Sequence, residues 1–353
     1  MFNKQCISDI TVRNQNVLVR VDYNVPIKDG VITDDLRIRA SLPTIELLEK
    51  KGARRIILIS HLGRPKGQKV PELSLAPVAE KLKKLLPERK VFFVSDVAGP
   101  DVEDAVESLP VGGILLLENL RFFPGEEENS TDFAREIAES THADLFVQDG
   151  FAVVHRAHAS TSAITSELPS VAGLLLEKEV TALTSVMNNP EHPFIVVIGG
   201  AKVDDKQPLI DKFAKIADKI AVGGKIAADG YTSPLDNVYV AEDFREGKMD
   251  IGPVSSDKIC KMCQEAKTVL WNGLLGAAET PEYAISSTDL AKTLGSTPNL
   301  TSVICGGDTT GFVENLQKKE PNLQYSLIST GGGAALELLS GVELPGIAAL
   351  EDK

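Results

Sequence analysis

The sequence is poor in aromatic residues and has no long apolar run. Aromatic side chains make up 5% of the 353 residues, and there is one tryptophan. No stretch approaches the roughly 18 consecutive apolar residues that a transmembrane helix needs, and the first residues, MFNKQ, lack the pattern of a secretory signal peptide. We therefore expect a cytoplasmic protein that does not contact a membrane.

Cysteine is also scarce, with only four residues in the chain. This number is too small for a disulfide scaffold and is typical of a reducing compartment. Cys260 and Cys263 form the one closely spaced pair, and no second pair or nearby histidine pair completes a zinc site. We interpret the cysteines as structural thiols and keep a metal site as the less favoured alternative.

Basic residues are outnumbered by acidic ones, 37 to 50, which gives a formal net charge of −13. A chain this acidic is a poor general binder of nucleic acid or of anionic membranes. An anionic ligand must then be held by a local group of arginine, lysine and histidine side chains.

Glycine is abundant, with 28 residues, and short apolar runs alternate with amphipathic segments. This alternation predicts βαβ units and parallel sheets. The pattern starts twice, so we expect an α/β protein of two domains, each a three-layer, Rossmann-like unit with a parallel sheet. A long helix over about residues 171–187 is predicted to join them, with a cleft between the domains. The predicted strands are 16–22, 53–60, 90–94, 113–118 and 145–148 in the first half, and 193–198, 219–222, 238–240, 268–271, 302–305 and 325–329 in the second.

Polar residues follow the strands of the first half, and ligands bind beyond the carboxyl ends of parallel strands. Five groups at this edge are or can become cationic, and guanidinium groups pair with both phosphate and carboxylate. The pattern favours a site for a small phosphorylated acid; the alternative is a set of surface arginines paired with the many acids. The candidate residues are Asp22, Asn24, Arg37, His61, Arg64, Arg121 and Arg156.

Glycine-rich loops follow the strands of the second half, and such loops offer backbone N–H groups to phosphate. They are residues 199–206, 222–225, 271–276, 305–311 and 329–339. None is a P-loop, and none is the dinucleotide fingerprint, which speaks against a nicotinamide-dependent oxidoreductase. Lys202 and Lys206 are candidates for phosphate contacts and Asp308 for Mg²⁺, although a surface lysine or a helix N-cap would explain each one equally well.

A site for a phosphorylated acid together with a nucleotide site predicts phosphoryl transfer. A carboxylate acceptor is already ionised at neutral pH, so the reaction needs no general base. The protein then supplies alignment, cations and oriented N–H groups, and it excludes water by closing two domains.

Several long motifs give the chain a family resemblance. VRVDYNVP, SHLGRPKG, LLLENLRFFPGEEEN, HRAHAST, GGAKVDDK, VLWNG, GGDTT and ISTGGGAALELLSGVELPGIAAL occur in that order over nearly the whole chain. The chain resembles the phosphoglycerate kinase family. The resemblance implies transfer between 1,3-bisphosphoglycerate and Mg-ADP, giving 3-phosphoglycerate and ATP in glycolysis, by a monomeric enzyme. It also implies that the C-terminal segment returns to the first domain, so that the domains are 1–170 plus 337–353 and 171–336.

The resemblance also implies a role for each matching residue. The seven candidates of the first half would bind phosphoglycerate, and Arg37 would reach the transferring phosphoryl group as well. Lys202, Gly332 and Gly333 would complete the catalytic set, and Asp308 would hold Mg²⁺. The nucleotide site would consist of Gly200, Ala201, Lys202, Lys206, Gly223, Gly224, Asn272, Glu279, Gly307, Asp308 and Thr309.

The chain departs from the family pattern around the expected adenosine pocket. Lys225 replaces the usual third glycine after Gly223 and Gly224, and the segment near 225–245 is shorter than usual. Lys225 would meet a phosphate or a neighbouring acid, or would simply be solvated. A ligand-binding paralogue with reduced or lost turnover is the alternative to an active kinase.

Overall fold

The computed structural model describes residues 2–204 and 206–353. These residues form two compact units, one of Phe2–Val180 with Glu343–Lys353 and one of Thr181–Val342. The predicted boundaries, after residue 170 and after residue 336, lie a few residues earlier in the chain than the divisions after Val180 and Val342. Among the described residues, no helix is both long enough and apolar enough to cross a membrane.

The first unit contains a six-stranded parallel sheet in the order β5-β6-β4-β1-β7-β8. Its strands are β1 (Asn16–Arg20), β4 (Arg55–Ile59), β5 (Val91–Phe93), β6 (Gly113–Leu116), β7 (Leu145–Gln148) and β8 (Ser170–Ala172), and a small antiparallel hairpin adds β2 (Ile27–Lys28) and β3 (Val31–Ile32). Its helices are α1 (Leu36–Lys50), α2 (Ala76–Leu85), α3 (Pro100–Ser108), α4 (Pro124–Glu127), α5 (Thr131–Ser140) and α13 (Pro345–Ala348).

The sheet of the first unit is covered by helices on both faces. Side chains alternate along a strand, and β1 shows this: Val17 and Val19 pack in one core with residues of α1 and α2. Leu18, between them, packs in the other core with residues of α3 and α5. The predicted three-layer α/β arrangement is confirmed for this unit.

The second unit contains another six-stranded parallel sheet, in the order β11-β10-β9-β12-β13-β14. Its strands are β9 (Phe194–Ile198), β10 (Lys219–Val222), β11 (Val238–Val240), β12 (Thr268–Asn272), β13 (Thr301–Cys305) and β14 (Leu327–Ile328). Its helices are α7 (Gln207–Phe213), α8 (Gly224–Ala228), α9 (Pro253–Gln264), α10 (Ile285–Ser296), α11 (Gly307–Lys319) and α12 (Gly333–Ser340). The second predicted parallel sheet is therefore confirmed as well.

The long helix, α6 (Leu174–Asn188), contains the division between the units at Val180 and Thr181. The predicted start at residue 171 is wrong, because Ser170–Ala172 forms β8 beside β7. Gly173 separates strand from helix, and a Cβ there would lie 2.2 Å from Oδ1 of Asp149. The apolar residues before Gly173 therefore belong to the sheet and not to the helix.

The C-terminal segment packs on the first unit. The Gly346 N–H donates to the Val154 carbonyl at 2.9 Å, and the Glu351 N–H donates to the Ser170 carbonyl at 3.1 Å. These backbone hydrogen bonds hold the residues after 342 against the loop at Val154 and against β8, which lie far earlier in the sequence.

Candidate functional site

Asp22 and Arg37 form an ion pair at the carboxyl edge of the first sheet. Asp22 follows β1 and is 4% exposed, whereas Arg37 lies in the first turn of α1 and is 29% exposed. Arg37 Nη1 lies 2.5 Å from Asp22 Oδ2 and donates to the Asn24 carbonyl at 3.3 Å. The guanidinium is thus held in place while part of it stays accessible.

Asn24 and Arg121 position the loop after β4, which carries His61 and Arg64. The Gly63 N–H donates to Asn24 Oδ1 at 2.9 Å, and Arg121 Nη1 donates to the Gly63 carbonyl at 2.8 Å. Arg64, the next residue, is exposed. Four predicted site residues therefore meet at this one loop.

His61 is a buried, neutral histidine surrounded by arginines. Its pKa lies well below the usual value, first because it is buried and then because of the charges of Arg20, Arg121, Arg37 and Arg156. Arg20 Nη2 lies 3.1 Å from His61 Nδ1. Arginine can only donate, so Nδ1 is the acceptor and the ring proton resides on Nε2. His61 is therefore a hydrogen-bond donor here and not a cation.

Arg20, at the end of β1, is the site residue that the sequence analysis missed. It is fully buried, and its Nε donates to Ser160 Oγ at 2.8 Å. Ser160 in turn donates to the buried Glu126, from its hydroxyl at 2.7 Å and from its N–H at 3.0 Å. The sequence does contain a signal for Arg20, because this arginine ends the apolar strand NVLVR. A charge buried at such a position costs free energy unless it is paired, so a partner within the site is expected.

Buried Glu126 balances part of this positive charge. Burial by itself raises the pKa of Glu126, but the neighbouring His158 side chain, the charge of Arg20 and the hydrogen bonds from Ser160 bring it below its usual range. The carboxylate is therefore ionised, and it anchors the arginine cluster from within the unit.

Arg121 and Arg156 complete the cluster. Burial, followed by the charges of Arg156 and Arg20, lowers the pKa of Arg121 to about 10, and its Nε lies 3.3 Å from Glu127 Oε1. Arg156 is half-buried and donates to His155 Nε2 at 3.1 Å. The arginines repel one another, because each positive charge disfavours its neighbours' charged form. Binding of an anionic ligand that neutralises them is therefore favourable.

The second unit contains a cavity of about 770 Å³ at the carboxyl edge of its sheet. Nine of the eleven predicted nucleotide-site residues line it: Gly200, Ala201, Lys202, Lys206, Asn272, Glu279, Gly307, Asp308 and Thr309. The other lining residues are Lys225, Ala228, Asp229, Gly247, Lys248, Met249, Gly273, Leu274, Gly276, Ala277, Gly306 and Leu336.

Asn272 links several of the loops around this cavity. The side chain of Asn272 is fully buried, and its Oδ1 accepts a hydrogen bond from Lys206 Nζ. Within the described part of the chain, its Nδ2 has no hydrogen-bond partner. Next to it, the Gly273 N–H donates to Thr309 Oγ1 at 3.0 Å. The loops after β9, β12 and β13 are thereby tied together with one amide donor to spare for a ligand.

Gly223 and Gly224 do not line the cavity but support the loop that does. Gly224 has φ +66°, and a Cβ there would lie 2.8 Å from the Gly200 nitrogen and from the Leu274 carbonyl oxygen. Only glycine fits this approach of the loops after β9, β10 and β12. Their predicted direct contact with nucleotide stays a prediction.

Gly332 and Gly333 lie at the start of α12, with Gly332 in the left-handed region at φ 49°. Neither is among the lining residues, although Leu336 on the same helix is. Lys225 does line the cavity and pairs with Asp229 Oδ1 at 2.7 Å, which is the neighbouring-acid alternative of the sequence analysis.

Asp308 lies where a carboxylate could bind a nucleotide-bound magnesium ion. It is exposed in the first turn of α11 and shares the cavity with Lys202 and Lys206. No group of three or more His, Cys, Asp and Glu side chains gathers for a metal among residues 2–204 and 206–353. Mg²⁺ is often held by one or two carboxylates, substrate phosphates and water, so a single carboxylate fits a nucleotide-bound ion.

A family model and two solved structures are similar to this chain. The family model described as phosphoglycerate kinase matches residues 7–232 and 231–342. The chain is similar to the phosphoglycerate kinase of Coxiella burnetii, with 32% identity, a TM-score of 0.79 and 98% of each chain covered. It is also similar to that of Pyrococcus horikoshii OT3, with 27% identity, a TM-score of 0.85, and 99% of this chain and 98% of that chain covered.

Proposed function

The chain belongs to the phosphoglycerate kinase family, and from this premise we propose the reaction that it catalyses. It transfers a phosphoryl group between 1,3-bisphosphoglycerate and Mg-ADP to give 3-phosphoglycerate and ATP, reversibly, as a step of glycolysis. The observation that carries the proposal is the cluster of four arginines around neutral His61.

The first unit binds the phosphoglycerate. Its contacts are Asp22, Asn24, Arg37, His61, Arg64, Arg121 and Arg156, and the fully buried Arg20 adds positive charge behind them. Support comes from the chemistry of the cluster: guanidinium groups pair with phosphate and with carboxylate, and the Nε2 proton of His61 is a further donor. The Asp22 carboxylate accepts hydrogen bonds, which suits a ligand hydroxyl.

The second unit binds the nucleotide. Lys202 and Lys206 neutralise phosphate charge, and Asp308 would hold the Mg²⁺ that accompanies the nucleotide. Bound Mg²⁺ supplies charge neutralisation on the phosphate oxygens. The N–H groups at Gly307 and at Gly332–Gly333, where α11 and α12 begin, are oriented donors for phosphoryl oxygens, and the amide of Asn272 adds its spare donor. Gly200, Ala201 and Glu279 line the adenosine part, with Gly223 and Gly224 beneath it.

The chemistry needs alignment more than proton transfer. A carboxylate nucleophile carries no proton at neutral pH, so the protein's task is to place donor and acceptor in line and to surround the transferring group with positive charge. Arg37, Lys202, Gly332 and Gly333 form the catalytic set. Direct transfer requires the two ligands to meet, and we propose that the domains close on them during turnover and keep water out.

The remaining expectations follow from the same proposal. The enzyme acts as a cytoplasmic monomer whose partners are its small-molecule substrates, without nucleic acid or membrane. The phosphoglycerate domain comprises 1–170 plus 337–353, and the nucleotide domain comprises 171–336.

The test is a turnover measurement with 3-phosphoglycerate and Mg-ATP, with each product measured. We expect 1,3-bisphosphoglycerate and ADP in equal amounts, and no ADP when 3-phosphoglycerate is left out. Binding of both ligands without product would identify a ligand-binding paralogue and overturn the proposal.

A further inference from the structure

The cavity of the second unit has two chemically different ends. Gly307 and Asp308 follow β13, and Lys225 and Asp229 follow β10. In the sheet, β9 and β12 separate β10 from β13. Three steps between neighbouring strands amount to about 14 Å. Since the N-terminus of α11 takes the phosphates, the end at β10 and β11 is left for the base.

The base end offers apolar surface for the faces of a ring. Met249 is a large apolar side chain that is 46% exposed, and it lines the cavity with Ala228. Polarisable methionine suits the face of an aromatic ring. The faces of the base therefore meet surface that does not distinguish one purine from another.

The segment that carries Met249 is held in place. Gly247 and Lys248 both have positive φ, at 71° and 56°. The Met249 carbonyl accepts from the Ala277 N–H at 2.8 Å, and the neighbouring Asp250, which is buried, accepts from the Ser286 N–H at 3.1 Å. Lys248 Nζ lies over the Phe244 ring, 5.9 Å from its centroid. Met249 is thus a fixed wall of the base end.

The base end also offers a charged pair at its edge. Lys225 Nζ lies 2.7 Å from Asp229 Oδ1, and the two residues are four apart, across the end of α8. Their side chains are 63% and 53% exposed, so a ligand can reach both without displacing packed atoms. An ammonium beside a carboxylate is a strong donor next to a strong acceptor.

We infer that the Lys225–Asp229 pair binds the hydrogen-bonding edge of the base and favours a guanine nucleotide over an adenine nucleotide. This rests on the proposed nucleotide site. Guanine presents the O6 acceptor beside the N1–H and N2–H₂ donors, so Lys225 donates to O6 and Asp229 accepts from two N–H groups. Adenine can accept from Lys225 at N1 and offers Asp229 only its N6 amino group, so it lacks the second N–H that gives guanine a two-pronged contact with the carboxylate.

The experiment compares kcat/KM for Mg-GTP, Mg-ITP and Mg-ATP with 3-phosphoglycerate as co-substrate. We expect GTP to be preferred over both ITP and ATP, because only guanine presents N1–H and N2–H₂ together to Asp229. In Asp229→Asn, the GTP/ATP ratio of kcat/KM should fall about fivefold to tenfold, the lower part of the range for one bidentate contact to a base.

The matched control is Glu320→Gln. Glu320 pairs with Lys292 at 2.8 Å with similar exposure, in the same unit, and does not line the cavity. This variant should leave the GTP/ATP ratio as it is in the original chain. An original chain that does not prefer GTP to ATP, or an Asp229→Asn variant with an unchanged GTP/ATP ratio, would overturn the inference.

Calorimetric binding of Mg-GDP and Mg-ADP separates this inference from the proposed function. Selective weakening of Mg-GDP binding in Asp229→Asn, without turnover on any nucleotide, would support the reading of the base and refute the kinase reaction. Turnover on every nucleotide, with Mg-GDP and Mg-ADP binding weakened equally in Asp229→Asn, would support the kinase reaction. It would refute recognition of the base by the Lys225–Asp229 pair. Absence of binding to either nucleotide would refute both.

Discussion

Arg37 Nη1 lies 2.5 Å from the carboxylate of Asp22, and the two residues are buried to different degrees. The buried acid fixes the arginine, whose side chain stays 29% exposed. The abundant acids of this chain therefore do not only neutralise basic residues; this one positions a candidate catalytic cation.

Replacing Arg37 tests this arrangement. We expect Arg37→Ala to lower kcat with 3-phosphoglycerate and Mg-ATP by about 10²–10³, the usual cost of removing one donor to developing charge. Arg39→Ala is the control, because Arg39 lies on the same helix and pairs with Asp35 away from Asp22. Equal losses in the two variants, at unchanged thermal stability, would argue against a catalytic role for Arg37.

His61 should make unfolding depend on pH. Its folded pKa lies well below 6.5, so below pH 6.5 the unfolded chain binds the proton that the folded chain refuses. The free energy of unfolding should then fall as the pH is lowered from 6.5, by up to about 1.4 kcal/mol per pH unit. His61→Gln should flatten this part of the profile in urea titrations at several pH values. A profile that keeps its slope would show that His61 is charged in the folded protein.

Asp149 should act in the opposite direction. Burial raises the pKa of Asp149 to about 7, although hydrogen bonds from Thr44, Leu175 and Leu176 lower it, and Glu179 raises it further. Between pH 3.8 and about 7 the folded state binds the extra proton, so stability should decrease as pH rises through this window.

Asp149→Asn should remove that decrease. Asparagine keeps the shape of the side chain and an oxygen for the Leu175 N–H, which donates to Asp149 Oδ1 at 2.9 Å. The control is Asp132→Asn, at a carboxylate that is 88% exposed. The difference in free energy of unfolding between Asp149→Asn and the original chain, measured from pH 4 to 8, isolates the effect of Asp149. The opposing effect of His61 is present in both proteins and cancels. If the free energy of unfolding of Asp149→Asn changed with pH in parallel with that of the original chain, the expectation would be contradicted.

Gly224 tests the backbone approach beneath the nucleotide cavity. Gly224→Ala should cost about 1–3 kcal/mol of stability through its left-handed backbone and weaken Mg-ADP binding, because the new Cβ meets Gly200 and Leu274. Gly230→Ala is the matched variant, with φ +90° and nothing within 4 Å of its Cβ. It should lose stability but bind Mg-ADP normally, by calorimetry. Equal weakening of binding in both variants would refute the packing argument.

The sequence was sufficient for the two parallel sheets, because their strands are short apolar runs that end in polar or glycine-rich loops. It failed at residues 170–172, where Ser170, Val171 and Ala172 pair with β7. A short apolar run before a helix does not say which element it joins; here the close packing of Gly173 against Asp149 ends the strand.

The sequence by itself determined the chemical groups available: arginines and a histidine after the strands of one half, and glycines, lysines and an aspartate after those of the other. Short motifs carry this information because parallel strands deliver their carboxyl ends to one edge. Only the tertiary structure decided that Arg20 faces His61 and that His61 is neutral. These properties depend on burial and on distances between residues far apart in the chain, and no local pattern encodes them.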